Sequence, residues 1–160
     1  MEELIFDGYR RINDEVYYAP PAPFVLTPAI VDKLGALASQ NPTGKARICF
    51  HQDSNASLHD MLIALDRKVK MKPHLHLRKV ESFQVIVGSM LITLFDEEGS
   101  PLSRIELAAD GAAAFYLKLP SKIAHTVTPL TDLVIFRETT DGPFRIEDTV
   151  YPPWVKNIRE

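Results

Sequence analysis

Residues 72–88, KPHLHLRKVESFQVIVG, contain side chains that could bind a metal ion. His74 and His76 are one residue apart, and on a β-strand that spacing puts both imidazoles on the same face. Glu81 follows on the C-terminal side, and a third imidazole, His125, lies in the segment LKLPSKIAHTV. Three imidazoles and one carboxylate are suitable ligands for iron, manganese, nickel, copper, cobalt or zinc.

Glu81 lies among apolar residues of a predicted strand, ESFQVIV. A turn through residues 77–80 places Glu81 at the start of this strand, on the same face as Phe83. The alternate residues Ser82 and Gln84 are polar and suit the solvent face, so the glutamate is predicted to face the interior. An ionised carboxylate is costly there unless a cation or hydrogen bonds meet it. A metal shared with the two imidazoles would meet that need.

Each histidine also has an ordinary structural interpretation. A single strand histidine is most often exposed or hydrogen-bonded, and this holds for His125 taken alone. An isolated His-x-His pair is equally uninformative. The combination carries more weight, because the pair is followed by four residues, Glu81, six further residues and Gly88.

Another group of polar residues could line the same interior. Arg47, Cys49 and His51 share one face of a predicted strand, and His59 and Met61 share a face of the next. If both faces point inward, Arg47, Cys49, His59 and Met61 line a substrate pocket beside the metal. The alternative is that Arg47 and His51 are exposed and Cys49 is a small core residue. A nucleophilic role for Cys49 is disfavoured, because no base is indicated beside it.

The elements that must position these residues are one helix and many short strands. Residues 1–26 are predicted to form an irregular, proline-stiffened arm on the surface. Thr27-Pro28 is typical of a helix start, and AIVDKLGALASQ has the spacing of an amphipathic helix that ends at NPTG. From Lys45 onward, short apolar runs alternate with turns, which indicates a sandwich or barrel.

Length and composition predict a single globular domain with no nucleic-acid or membrane partner. The chain has 160 residues and a net charge of −3, which does not favour polyanions. No window approaches the ~20 apolar residues of a membrane helix, and the N-terminus lacks the apolar core of a signal peptide. The single cysteine suits a reducing compartment, so a cytoplasmic location is expected. The basic run at residues 67–72 is interpreted as a solvated strand end.

The sequence His74-x-His76-x4-Glu81-x6-Gly88 resembles the first conserved motif of the cupin superfamily. Residues 120–125, PSKIAH, resemble the second motif, in which a proline precedes the last metal-binding histidine by five residues. The resemblance implies a mainly β fold, the cupin double-stranded β-helix or jelly-roll barrel, with one N-terminal helix. It also implies one divalent transition metal, such as iron, manganese, nickel or zinc, bound by His74, His76, Glu81 and His125.

The second motif departs from the superfamily pattern at two positions. Lys122 stands where cupins usually have glycine, and Pro129 stands where they often have asparagine. Neither change removes a ligand, but both affect the shape of the turn. The expected organisation is an arm and helix over residues 1–44 that pack on a cupin barrel with a C-terminal tail over residues 45–160.

A narrower resemblance, over about residues 45–154, is to the WbuC-type cupin metalloproteins of O-antigen gene clusters. The segments that carry it are ARICFH, HDMLIALDR, KPHLHLRKVESFQVIVGSM, LFDEEG and FRETTDGPF…EDTVYPPW. This resemblance implies the same fold and ligands and a polysaccharide context, but it supplies no established reaction.

The function that these features favour is binding or transformation of a small oxygen-rich molecule. The metal would act as a Lewis acid on a saccharide, nucleotide-sugar, keto acid or enediol-like compound, as in an isomerase or epimerase. His51 and Glu138 are the acid–base candidates, although Glu138 could equally be a solvated strand end. The alternatives are an iron-dependent dioxygenase, a non-catalytic binding module and a structural metalloprotein. Open strand edges and the proline-rich arm also predict a homodimer.

Overall fold

The computed structural model describes residues 8–157, so residues 1–7 of the predicted arm and residues 158–160 of the tail lie outside it. Within this range there is one α-helix, α1 (Pro28–Gln40), and two short 3-10 turns, Ile146–Asp148 and Pro153–Asn157. The strands are β1 (Arg10–Arg11), β2 (Val16–Tyr18), β3 (Lys45–Cys49), β4 (Leu58–Asp66), β5 (Leu75–His76), β6 (Glu81–Val87), β7 (Ser89–Phe95), β8 (Pro101–Ala108), β9 (Tyr116–Leu119), β10 (Ala124–Pro129), β11 (Leu133–Asp141) and β12 (Thr149–Val150).

Two main sheets form the described part of the molecule. One has seven strands in the order β1-β2-β3-β4-β11-β6-β9, and the other has three in the order β10-β7-β8. β12 and β5 form a separate two-stranded ladder. All pairs are antiparallel except β2 with β3. This is the mainly β cupin jelly roll with one N-terminal helix that the sequence motifs implied.

The helix begins and ends where the sequence predicted. Thr27 is the N-cap, its side-chain oxygen accepts a hydrogen bond from the Ile30 amide at 3.4 Å, and Pro28 is the first helical residue. The backbone N–H of Asn41 donates to the Leu37 carbonyl and closes the last turn. The buried face, which includes Leu34, packs against β3, β4 and β11.

The hydrophobic core has two parts, one on each face of the large sheet. Leu62 and Ile135 pack with α1 on one face. Leu65, Val134 and Phe136 point the other way and pack with the three-stranded sheet. The central strands β4 and β11 are therefore covered on both faces, which explains their nearly continuous apolar sequences.

The prediction of an irregular N-terminal arm was wrong for residues 10–18. β1 and β2 form a small ladder, and β2 adds to the large sheet parallel to β3. Tyr17 is buried in the helix-facing core rather than lying on the surface. The strand contains only three residues, and its partner lies about 30 residues away in the chain, so no local periodicity indicated it.

Gly88, the last residue of the first motif, allows the sharp connection between β6 and β7. Its φ is +72°, and a Cβ added there would lie 2.3 Å from the Leu133 carbonyl oxygen and 2.3 Å from the Thr131 hydroxyl oxygen. Replacing Gly88 with alanine is expected to lower the free energy of unfolding by about 2–4 kcal/mol, because it adds a backbone clash to an unfavourable φ. Urea titration of the purified variant measures this loss.

Gly111 provides the matched control for this substitution. Its φ is also positive, +80°, but a Cβ there would meet nothing within 4 Å. Gly111→Ala should therefore cost only about 1 kcal/mol, the penalty of the left-handed conformation alone. Equal losses for the two variants would show that the contact with β11 does not matter.

The described residues contain no helix with the length and hydrophobicity needed to cross a membrane.

Candidate metal centre

The four candidate ligands come from three neighbouring segments. His74 immediately precedes β5, His76 ends it, Glu81 opens β6 and His125 is the second residue of β10. His74 and His125 are joined by two backbone hydrogen bonds of 3.0 and 2.9 Å, which hold β5 beside β10. One ring nitrogen from each of the three histidines lies within 4.8 Å of the others. The fold thus brings together all four residues that the sequence singled out.

Glu81 bridges two of the imidazoles. Its Oε1 lies 3.1 Å from His76 Nε2, and its Oε2 lies 3.3 Å from His125 Nε2. Glu81 is 6% exposed and His125 is 2% exposed. Two donors that are each about 2.0–2.2 Å from one ion lie roughly 3–3.5 Å apart, so these separations suit ligands of a common metal.

The opposite ring nitrogens are occupied by contacts that orient the imidazoles. Nδ1 of His74 donates to the Lys72 carbonyl, and Nδ1 of His125 donates to the Ile123 carbonyl, each at 3.0 Å. Nδ1 of His76 lies 3.2 Å from the Thr149 hydroxyl. A hydrogen bond from one ring nitrogen to a carbonyl fixes the tautomer and leaves the other nitrogen as a ligand.

The contact between His125 and Glu81 is one that a bound cation would stabilise. Burial lowers the pKa of His125 and of His74, so both imidazoles are neutral at neutral pH. Because Nδ1 of His125 carries the proton, its Nε2 presents a lone pair towards the Glu81 carboxylate. Two buried acceptors facing each other are unfavourable, and a divalent cation between them satisfies both. The donor set therefore fits a metal ion.

The turn before β10 explains the unusual lysine of the second motif. Lys122 has a φ of 66°, the conformation for which cupins usually supply glycine at this position. Its amide donates to the His76 carbonyl at 2.7 Å, so the strained turn also fixes the backbone of a candidate ligand.

A cavity of about 660 Å³ is bordered by three of the four candidate ligands, His74, His76 and Glu81. The sequence-predicted pocket and acid–base residues all border it; they are Arg47, Cys49, His51, His59, Met61 and Glu138. The alternative interpretation, a core Cys49 and an exposed Arg47, holds in part. Cys49 is buried and Arg47 is exposed, but Arg47 still stands at the cavity wall. A cavity of this size suits a ligand of one or two sugar rings.

Glu138 has the most perturbed carboxyl group of the cavity. Burial and the charge of Glu81 raise its pKa to about 8, against the opposing effects of Arg47 and Lys79. Its side chain borders the open space, yet its carboxyl group is protonated at neutral pH. Glu138 is therefore a half-buried carboxyl group at the cavity wall with a raised pKa, the property expected of an acid–base candidate.

His51 and His59 form a stacked pair on another part of the cavity wall. Their ring centroids are 4.0 Å apart with an interplanar angle of 18°, and Tyr18 contacts His51 edge-on at 5.5 Å. Burial lowers the pKa of both imidazoles, so they are neutral proton acceptors at neutral pH. Burial also raises the pKa of Cys49, which keeps it a thiol and weighs against a nucleophilic role.

Sequence comparison places the chain in a family. The profile of a family described as a domain of unknown function, DUF6016, matches residues 26–107, just over half of the chain. The chain belongs to this family. No curated protein is similar in sequence to this DUF6016 protein.

Solved structures confirm the cupin fold of this DUF6016 protein. The capsular polysaccharide assembling protein CapF from Staphylococcus aureus is 15% identical with a TM-score of 0.58, covering 69% of this chain and 32% of CapF. Protein SO0799 from Shewanella oneidensis is 14% identical with a TM-score of 0.56, covering 70% of this chain and 76% of its own. Oxalate oxidase, solved with the substrate analogue glycolate, is 14% identical with a TM-score of 0.54, covering 72% and 59% respectively. The chain spans only about a third of the length of CapF.

Several cavity residues of the DUF6016 protein were missed from the sequence. Thr149 and Tyr151, in the C-terminal tail, border the cavity next to the histidines. Lys70 and Lys72, interpreted as part of a solvated strand end, are exposed but also lie at the cavity wall. Lys79 was not predicted to line the cavity, although its position between His76 and Glu81 in the first motif could have indicated it.

Proposed function

We propose that this protein uses a divalent metal to bind and transform a small oxygen-rich molecule, with saccharides and nucleotide-sugars as the favoured class. The observation that carries the proposal is the buried contact between the His125 lone pair and the Glu81 carboxylate, beside an open cavity of about 660 Å³. A purely structural metal would need no such cavity.

The residues proposed to hold the metal are His74, His76, Glu81 and His125. A divalent ion with open positions supplies Lewis-acid polarisation of substrate oxygens. The carbonyls of Lys72 and Ile123 and the hydroxyl of Thr149 keep the imidazoles oriented for that ion.

Proton transfer is assigned to residues elsewhere on the cavity wall. Glu138, whose pKa is raised by burial, can donate a proton to a substrate oxygen. His51, whose pKa is lowered by burial, can accept one. Groups whose environments separate their pKa values in this way are suited to acid and base roles in one reaction, such as an isomerisation or epimerisation. Arg47, Cys49, His59 and Met61 are proposed to contact the substrate.

The saccharide class is supported by two resemblances. The WbuC-like segments come from proteins of O-antigen gene clusters, and CapF is a capsular polysaccharide assembling protein. Both are analogies of fold and motif, so the substrate is inferred from them only as a class.

Elemental analysis of protein purified without chelator tests the proposal first. We expect about one equivalent of iron, manganese, nickel or zinc per chain, lost on dialysis against a chelator. Incubating the metal-loaded protein with saccharides and nucleotide-sugars should then give new products by NMR. Recovery of bound ligands unchanged would favour a non-catalytic binding module, and oxygen consumption with ferrous protein would favour a dioxygenase. Protein that binds no metal would refute the proposal.

We propose further that the protein is a cytoplasmic homodimer in which residues 1–44 pack on the cupin barrel of residues 45–160. The exposed side chains of Phe115 and Tyr116, at the open edge strand β9, support pairing of two copies. Light scattering at micromolar concentration checks the mass, and a monomer would contradict this part of the proposal.

A further inference from the structure

We propose that Lys79 and Arg47 form an anion-binding subsite in the metal cavity, so that the ligand carries a carboxylate or phosphate group. The inference deepens the proposed function, on which it rests for the role of the cavity. Both residues border the cavity that His74, His76 and Glu81 also line.

Lys79 is a buried cation without an anion. The residue is 7% exposed and borders the cavity. Among residues 8–157 it makes no ion pair and no side-chain hydrogen bond; its recorded partner is the ring of Phe144, whose centroid lies 5.2 Å from Nζ. Its Nζ is not closed off from solvent, so the ammonium group faces the open space of the cavity, where a ligand can supply an acceptor.

The segment 77–80 directs Lys79 inward through contacts on both sides of it. Arg78 points outward, where its Nε donates to the buried Asp148 carboxylate at 2.7 Å. The Val80 amide donates to the Asp141 carboxylate at 2.9 Å, and the Leu77 amide donates to the Asp148 carbonyl at 2.9 Å. With its neighbours fixed in this way, Lys79 is held towards the cavity by the fold.

Arg47 is another cation of the cavity. Like Lys45 and Lys70, it borders the cavity and makes no ion pair within the described range. Arg47 and Lys79 both act electrostatically on His59 and on Glu138, which places these two residues within range of both cations. An anion near His59 would therefore be attracted by both charges.

The charges of the cavity as a whole also favour an anion. Five cationic side chains border it, namely Lys45, Arg47, Lys70, Lys72 and Lys79. The carboxyl groups there are Glu15, Glu81 and Glu138. The five cations outnumber these carboxyl groups even when all three are ionised, and Glu81 is turned towards the imidazoles. A protein with a net charge of −3 thus has a cationic cavity.

A ligand of this cavity would carry two kinds of group. Hydroxyl or carbonyl oxygens suit the metal proposed at Glu81, and an anionic group suits Arg47 and Lys79. Sugar acids and sugar phosphates have this combination of groups.

Calorimetry tests the subsite by titrating glucose, glucuronate and glucose 1-phosphate into the metal-loaded protein. In a separate experiment, the phosphate arm, inorganic phosphate is titrated into the metal-free protein. The charged sugars should bind at least about tenfold more tightly than glucose. Lys79→Met should weaken their binding roughly 10- to 100-fold, the loss of a charge-assisted hydrogen bond, and leave glucose within about twofold. Lys79→Arg should restore most of the affinity, and Lys33→Met, which removes an exposed charge from α1, should change nothing.

Two further readouts separate this inference from misfolding and from the proposed function. Lys79→Met should keep the melting temperature within a few degrees of the wild type, because methionine has a similar apolar stem and no ion pair is lost, and should keep its metal content. Equal binding of charged and neutral sugars, binding of neither, or an equal loss for both in Lys79→Met would overturn the subsite. Absence of metal from the wild-type protein would instead refute the proposed function, while the phosphate arm would still report on Lys79.

Discussion

Replacing Glu81 with glutamine is expected to weaken metal binding at least about 100-fold. The substitution removes the only proposed anionic ligand and leaves the three imidazoles. Those of His74 and His125 are neutral at neutral pH, because burial lowers their pKa. Losing a residue that only hydrogen-bonds to a metal ligand already lowers metal affinity about 10- to 100-fold. Losing a ligand itself should lower the affinity at least as much. Competition with a chromogenic chelator, followed by elemental analysis, measures the change.

The shape and folding of the Glu81→Gln variant should survive in the metal-free state. A glutamine amide can donate to the His125 Nε2 that now faces a carboxylate oxygen at 3.3 Å, so the unfavourable contact is removed. The melting temperature of metal-free Glu81→Gln should therefore stay close to that of the metal-free wild type, because the new contact with His125 offsets the loss of a carboxylate whose pKa the His76 hydrogen bond lowers despite burial. Glu106→Gln, an exposed change on β8, is the matched control. Wild-type metal affinity in Glu81→Gln would show that the carboxylate is not a ligand.

The candidate ligands could be identified from the sequence because most of their geometry is local. Strand alternation puts His74 and His76 on one face, and the polar–apolar pattern of β6 turns Glu81 inward. His125 was a candidate because it follows a proline turn and precedes an apolar run, and the resemblance to the second motif strengthened it. Its closeness to His74 depends on the pairing of β5 with β10, which no local pattern shows.

Lys79 could not be predicted because its direction is set by distant residues. It lies in an irregular segment, where no periodicity assigns a face. Its neighbours are fixed by Asp141, 61 residues beyond Val80, and by Asp148, 70 residues beyond Arg78. The short strand β2 escaped prediction for the same reason, since its partner β3 lies on the far side of the helix in sequence. The helix itself was predicted correctly, because its cap and apolar face are contiguous.

Replacing Glu138 with glutamine is expected to stabilise the metal-free protein at pH 8 by a few kcal/mol and to change little at pH 5. The folded protein holds the Glu138 proton up to a pKa of about 8, whereas an unfolded glutamate releases it near pH 4.3. Above about pH 4.3 the unfolded state binds fewer protons than the folded state. The free energy of unfolding of the wild type therefore falls as the pH rises towards 8, by up to about 1.4 kcal/mol per pH unit. Glutamine keeps the shape of the side chain and removes this loss.

Subtracting the wild-type free energy of unfolding from that of Glu138→Gln at each pH isolates this effect. The buried histidines, whose lowered pKa values make the fold more stable as the pH rises to about 6.5, contribute equally to both proteins and cancel. Urea titrations between pH 5 and 8.5 should therefore give a difference that grows with pH, while Glu106→Gln should give a flat one. A flat difference for Glu138→Gln would mean that the Glu138 carboxyl ionises normally in the cavity. Glu138 would then be charged at neutral pH and could not act there as the proposed proton donor.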